Sequence, residues 1–249
     1  MPPGCFQRGK SSRPGTAPWS NRASLASLLL LAAAAPVLPG IGAGDGRVTL
    51  DAAAAPWRSL ARLQIPGETR CTAVLVGPRT ALTAAHCLWG RRLGHYLPPG
   101  SVHVLSGYAA GSFARHTVAA SYRLAVPTPA GPETDFAVVT LENPIGEAPL
   151  PLADADPPPG AAVALGGYNQ DRSEVIEADL HCHVVAALPG RLAHDCAGTH
   201  GTSGAPLLAR AANGAWRVVG LQVAGFSEHE GGIAVPASRL REALTAAPN

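Results

Sequence analysis

Residues 201–207 read Gly201-Thr202-Ser203-Gly204-Ala205-Pro206-Leu207, and residues 82–87 read Leu82-Thr83-Ala84-Ala85-His86-Cys87. In the first stretch, glycine at 201 and 204 lets the chain reverse sharply without a Cβ clash, and the N–H groups of Gly201 and Ser203 can converge on one oxygen. A serine hydroxyl is a weak nucleophile at neutral pH. It needs a base to take its proton and donors to hold the oxyanion that follows. The second stretch delivers a histidine from the end of an apolar run, beside a cysteine able to pin the backbone. Taken singly, each has an ordinary structural reading, since Gly-x-Ser-Gly is also a loop and an isolated histidine is often only hydrogen-bonded.

A base in catalysis also needs a fixed tautomer, which a buried carboxylate supplies. Asp135 leads directly into Phe136-Ala137-Val138-Val139-Thr140-Leu141 with no further charge, whereas Glu133 and Glu142 flank prolines and read as solvated. Asp135 is therefore the candidate partner of His86, although surface turns often end in aspartate.

The blocks at 83–87, 135–141 and 201–207 resemble, in this order, the three signature blocks of chymotrypsin-fold serine proteases. The order His, Asp, Ser distinguishes that family from subtilisin-type and α/β-hydrolase enzymes, which arrange the same triad differently. The resemblance covers residues 47–244, with separations of 49 and 68 residues between the three side chains. It implies an all-β protein of two six-stranded antiparallel barrels with the site between them. His86 would be the general base, Asp135 its orienting carboxylate and Ser203 the nucleophile, with the N–H groups of Gly201 and Ser203 as the oxyanion hole. Peptides or proteins would be the substrate, and no cofactor or metal is implied.

Thr202 departs from the trypsin-like pattern, where an aspartate before the nucleophile binds a newly released N-terminal ammonium. A neutral hydroxyl cannot form that pair, and no Ile-Val-Gly-Gly start lies near Arg47. The pattern is closer to the bacterial glutamyl-endopeptidase-like branch, which also places Asp-Cys upstream as Asp195-Cys196 does. Counting outward from Ser203 places the specificity pocket at Ala197, Gly198, His200, Gln222 and Gly225. No carboxylate stands at its base and Gln222 replaces a histidine, so small or apolar side chains are expected before the cut.

Working outward, short apolar runs separated by turn residues extend from Ser59 to Val235, the mark of a β-sandwich or barrel. Six prolines among the nineteen residues from Glu142 to Gly160 preclude central strand or helix and mark a crossover between two halves. The segment 236–244 places Pro236 at a helix start with Leu240, Ala243 and Leu244 at helical spacing. The expected organisation is a signal peptide over 1–44 and a peptidase domain over 45–249. Within that domain the first barrel covers about 45–143, the crossover 144–160, and the second barrel with a C-terminal helix 161–249.

The signal assignment rests on Arg8, Lys10, Arg13 and Arg22 without any acid, followed by the apolar run from Leu25 to Leu38. That run is short of the roughly 20 residues of a membrane span. Removing residues 1–44 leaves 15 arginines against 17 acids, a net of −2. The remaining arginines are scattered, so nucleic acid is excluded as a partner, as is stable membrane insertion once the signal is gone. A secreted or periplasmic location follows. Cys71, Cys87, Cys182 and Cys196 remain, an even number that suggests two disulfides in an exported chain. Three pairings are possible, and the spacing favours Cys71 with Cys87 and Cys182 with Cys196.

Three other readings compete. His181, Cys182, His183, His194, Cys196 and His200 could supply zinc ligands. A catalytically inactive protease homologue could bind peptides or proteins through the same cleft. An esterase of another fold lacks both its Gly-x-Ser-x-Gly elbow and serial βαβ patterning.

Overall fold

The computed structural model describes residues 38–42, 44–65, 67, 70–127, 131–146, 148–227 and 229–246. The basic and apolar leader features up to residue 37 lie outside them. Fifteen strands and one helix are present among the described residues. The first barrel consists of β2 (Leu60–Gln64), β3 (Arg70–Gly77), β4 (Thr80–Thr83), β7 (His103–Ser106), β8 (Arg115–Leu124) and β9 (Ala137–Leu141), closed in the order β2-β3-β4-β9-β8-β7. Two short strands, β5 (Trp89–Gly90) and β6 (His95–Tyr96), pair beside it.

In the second barrel the order is β11 (Ile176–Leu188), β10 (Ala162–Gly167), β13 (Pro206–Arg210), β14 (Trp216–Gly225), β15 (Gly232–Pro236) and β12 (Arg191–His194), which pairs back onto β11. Strand β1 (Val48–Leu50) adds to the outside of this barrel on β11. These are the two closed six-stranded barrels that the resemblance implies.

The strand chemistry explains what was readable and what was not. β3 and β9 are nearly continuous β-branched and small apolar residues buried against the barrel interior. β8 alternates irregularly, with Val118 half-buried and Thr117 and Ala119 buried among exposed polar neighbours, so its sequence shows no clear apolar run. The first half of β11 carries Glu177 and Asp179, both buried, so it shows no apolar run in the sequence.

The proline-rich stretch travels between the barrels by backbone hydrogen bonds. Ile145 N–H donates to Pro78 O and Leu150 N–H to Leu75 O in the first barrel, while Ala153 N–H donates to Val218 O and Gly160 N–H to Val184 O in the second. The helix α1 (Ala237–Thr245) follows Pro236 directly, buries Leu240 and packs on β14 and β15. Arg123 of β8 donates to Ala243 O at 2.9 Å, tying this helix to the first barrel as well.

Polar side chains cross the seam between barrels. Arg62 is buried with its guanidinium 4.0 Å from the Tyr108 ring centroid, and its Nη1 donates to Glu174 at 3.1 Å. Tyr108 also donates to Glu174, and Tyr168 donates to Tyr108 O at 3.1 Å. The Arg62 Nη1, the two tyrosine hydroxyls and the Glu174 carboxylate find partners in one another or in backbone, which offsets part of the cost of their desolvation, while Arg62 Nε is left without one.

Residues 38–42 belong to this packed body. Ile41 is 4% exposed, and Gly40 O accepts from Gly198 N–H at 3.0 Å and Gly231 N–H at 3.2 Å.

Candidate active site

His86 lies in a single 3-10 turn, Ala85–Leu88, immediately after β4. The next residue, Cys87, is disulfide-bonded to Cys71 on β3, so the backbone that carries the imidazole is anchored to the neighbouring strand. Asp135 caps the turn Pro132–Thr134 just before β9, which pairs with β4. Its carboxylate holds His86 at two points: the backbone N–H donates to Oδ1 at 2.8 Å, and ring Nδ1 lies 2.6 Å from Oδ2. An ionised carboxylate only accepts, so Nδ1 carries the proton in the neutral ring and Nε2 is the free lone pair. Ala85 N–H also donates to Asp135 O at 3.3 Å, completing a three-bond contact between the two segments.

Ser203 sits in a turn whose two glycines both have positive φ, +94° at Gly201 and +82° at Gly204. A Cβ at Gly201 would lie 2.2 Å from Tyr168 O and one at Gly204 would lie 2.1 Å from Thr72 O, so no side chain fits at either place. Thr72 of β3 binds the turn from the first barrel. Its N–H donates to Ser203 O at 2.9 Å, and its hydroxyl donates to Gly201 O at 2.9 Å while accepting from Tyr168 N–H at 3.0 Å. Thr83, three residues before His86, donates to Thr72 O at 2.8 Å. His86 and the turn that carries Ser203 are thus referred to the same short piece of β3.

The peptides that carry the Gly201 and Ser203 N–H groups are both oriented through their carbonyls. His200 O accepts from Gln170 N–H at 2.6 Å, and Thr202 O accepts from Ala205 N–H at 2.8 Å. A peptide is planar with its N–H opposed to its C=O, so anchoring the oxygen sets the direction of the donor. Neither of the two N–H groups donates to another group among the described residues. Thr202 is buried and donates to Thr199 O at 2.7 Å, a neutral, self-contained arrangement. His86, Ser203, Gly201 and Tyr168 line one cavity of about 420 Å³, shared with His200 and two arginines, Arg70 and Arg91.

Of the five expected pocket residues, His200 alone lines this cavity. Ala197 is buried, and its N–H donates to Asp179 Oδ2 at 2.9 Å. Gln222 is buried with both ends of its amide engaged: Oε1 lies 2.6 Å from His194 Nε2, and Nε2 donates to Ala224 O at 2.9 Å. Gly198 meets Gly40 as described above, and Gly225 is exposed. The second disulfide, Cys182 to Cys196, ties β11 to the start of this region. Its sulfurs are not thiolates, and both ring nitrogens of His194 are taken, so the zinc reading loses three of its six ligands.

Sequence reasoning missed Thr72, Asn169, Gln170 and Asp179. Gln170 acts through its backbone N–H, Asn169 and Asp179 accept backbone N–H groups whose positions only the fold sets, and a threonine in an apolar strand carries no signal of its own. His194 was weighed only as a metal ligand. Cys196 N–H can only donate, so His194 Nδ1 accepts it at 3.2 Å and Nε2–H donates to Gln222.

A family model described as trypsin-like peptidase domain matches residues 71–221. Serine protease 56 of Homo sapiens is 32% identical over 145 residues, 53% of this chain and 23% of that protein. Trypsin of Saccharopolyspora erythraea is 34% identical over 110 residues, 41% of this chain and 46% of that protein. The chain thus spans less than half the length of either curated relative. A solved Glu endopeptidase in complex with MPD matches with a TM-score of 0.71 at 19% identity, covering 83% of this chain and 100% of that one, a likeness of fold.

Burial pushes the His194 imidazole down to about 4 from its ordinary 6.5, against the opposing pull of its Gln222 hydrogen bond and the Asp195 and Asp179 charges. The unfolded chain therefore binds a proton that the folded chain refuses between these values, and stability falls as pH drops from 6.5 towards 4. Denaturant unfolding should show His194→Gln to be less acid-sensitive than the parent, by roughly 2 to 3 kcal/mol over this window. An identical pH dependence in the variant would contradict the assignment.

Proposed function

Because this chain belongs to the trypsin-like peptidase family, a family of serine proteases, we propose that it is a secreted or periplasmic endopeptidase acting through His86, Asp135 and Ser203. The observation that carries this reading is the two-point grip of Asp135 on His86, with the ring and Ser203 lining one cavity.

In this mechanism Nε2 of His86 takes the Ser203 hydroxyl proton as Oγ attacks the scissile carbonyl. Asp135 keeps Nδ1 protonated and stabilises the imidazolium that forms. The negative charge gathers on the former carbonyl oxygen, where the N–H groups of Gly201 and Ser203 receive it; each such donor is worth about 10²–10³ in rate. The imidazolium then protonates the leaving amine, the acyl-enzyme remains on Ser203, and water activated by the same ring releases the acid.

Two disulfides suit an oxidising compartment, and no helix of the described residues is long and apolar enough to cross a membrane. The leader is proposed to end before Leu38 rather than at residue 44, because removal of residues 38–44 would strip buried Ile41 and the Gly40 carbonyl from their partners. The barrels, crossover and helix are assigned to about 45–143, 144–160 and 161–249, with peptides or proteins as substrate and no role for nucleic acid.

Specificity follows from what the pocket residues have left to offer. The Asp179 carboxylate near Ala197 is occupied by the N–H groups of Ala197 and His181, and the Gln222 amide is committed at both ends. Both side chains are buried with their hydrogen bonds directed to neighbouring residues, so small or apolar side chains are expected before the cut.

A fluorophosphonate probe should label Ser203 in the folded, leader-free protein and fail with Ser203→Ala. Asp135→Asn should cut turnover by about 10⁴-fold through the wrong tautomer. A folded protein that resists the probe would instead be a binding homologue. In a peptide library, cuts should cluster after Ala, Val or Leu; dominant cleavage after Arg, Lys or Glu would overturn the pocket assignment.

A further inference from the structure

Arg47 precedes β1, far in sequence from every block discussed above, and its side chain is fully buried. Its guanidinium is gripped from two sides. Nε and Nη2 donate to Asp45 at 2.8 and 2.9 Å, and Nη1 and Nη2 donate to Asp171 at 3.1 and 2.7 Å. The cluster extends further: Arg172 donates to Asp45 at 3.1 Å and to the buried Glu177 at 2.7 Å, and Thr49 of β1 donates to that same Glu177. An isolated cation would not be stable in such a place, and removing one partner of a buried, hydrogen-bonded set leaves an uncompensated charge.

Asp171 ends a short segment whose other residues hold the oxyanion loop. Asn169 Oδ1 accepts from Thr199 N–H at 3.0 Å, and Gln170 N–H donates to His200 O at 2.6 Å. The His200 carbonyl belongs to the peptide that carries the Gly201 N–H. Among the described residues no charged side chain bonds the nucleophile turn itself, and Thr202 within it is neutral and satisfied by Thr199.

We propose that Arg47 is the positioning residue of the oxyanion site: by gripping Asp171 it holds residues 169–171 against residues 199–201 and so sets the direction of the Gly201 N–H. The inference rests on the catalytic reading above. A displacement of about 1 Å at such a donor is enough to cost on the order of 10²-fold in rate. A guanidinium suits the task because its planar fork binds two carboxylates at fixed angles, which an ammonium does not.

Three variants of the full folded chain test this: Asp171→Asn, Arg47→Lys, and the triple change Arg47→Met with Asp45→Asn and Asp171→Asn, which leaves no buried charge unpaired. With p-nitrophenyl acetate, Asp171→Asn and the triple variant should lose about 10- to 100-fold in kcat with KM within about threefold, and Arg47→Lys should fall between them and the parent. Fluorophosphonate labelling of Ser203 should slow by the same factor. Hydrogen exchange should accelerate in residues 198–204 while the first barrel keeps its protection. A folded Asp171→Asn or triple variant with parental rates and parental exchange in 198–204 would overturn the proposal. So would protection lost evenly from both barrels, which marks a purely structural ion cluster. If the parent itself failed to react at Ser203, the catalytic reading would fall, and exchange in 198–204 would still decide whether Arg47 orders that loop.

Discussion

Thr72 joins the two halves of the site. From one position on β3 it donates its N–H to Ser203 O, donates its hydroxyl to Gly201 O and accepts from Tyr168 N–H, while its own carbonyl takes the Thr83 hydroxyl. Its neighbour Cys71 carries the disulfide that holds Cys87, next to His86. His86 comes from the first barrel and the Ser203 turn from the second, so their relative placement depends on bonds across the seam. Thr72 supplies those bonds beside His86 and Ser203, and the Arg62, Tyr108, Tyr168 and Glu174 set supplies them elsewhere along the seam.

Around this point the molecule commits its polar groups in advance. Asp135 spends both oxygens on one residue, the carbonyls of His200 and Thr202 are each held by a backbone donor, and His194 and Gln222 satisfy each other in the second-barrel interior. Such groups need not reorganise when charge develops, the condition under which fixed dipoles stabilise a transition state well. Among the described residues, buried carboxylates meet an arginine or several N–H donors, as at Glu177 and at Asp179.

What could be read from sequence was the part where chemistry dictates residue type. His86, Asp135 and Ser203 stand in motifs whose neighbours are also constrained, by a disulfide, a strand start and two left-handed glycines. Strands such as β3 and β9 were legible because both faces are apolar. β8 and the first half of β11 were hidden by polar residues that find partners only in three dimensions, Glu177 with Arg172 and Asp179 with two backbone N–H groups. Thr72 and Gln170 act through backbone atoms or a common hydroxyl, to which many sequences would be equivalent. The pocket residues found by counting from Ser203 carry no sequence signal that the polar groups of Ala197 and Gln222 are already used.

The placement of the Ser203 turn against His86 rests on the seam at Thr72, and Thr72→Val tests this with almost no change of shape. The substitution keeps the backbone bond to Ser203 and deletes both hydroxyl bonds, which orient Gly201 and Tyr168. Rapid-mixing measurement of Ser203 acylation by p-nitrophenyl acetate should show a loss of about 10- to 100-fold in a folded variant. Acylation at the parental rate would contradict the claim that this contact sets the site.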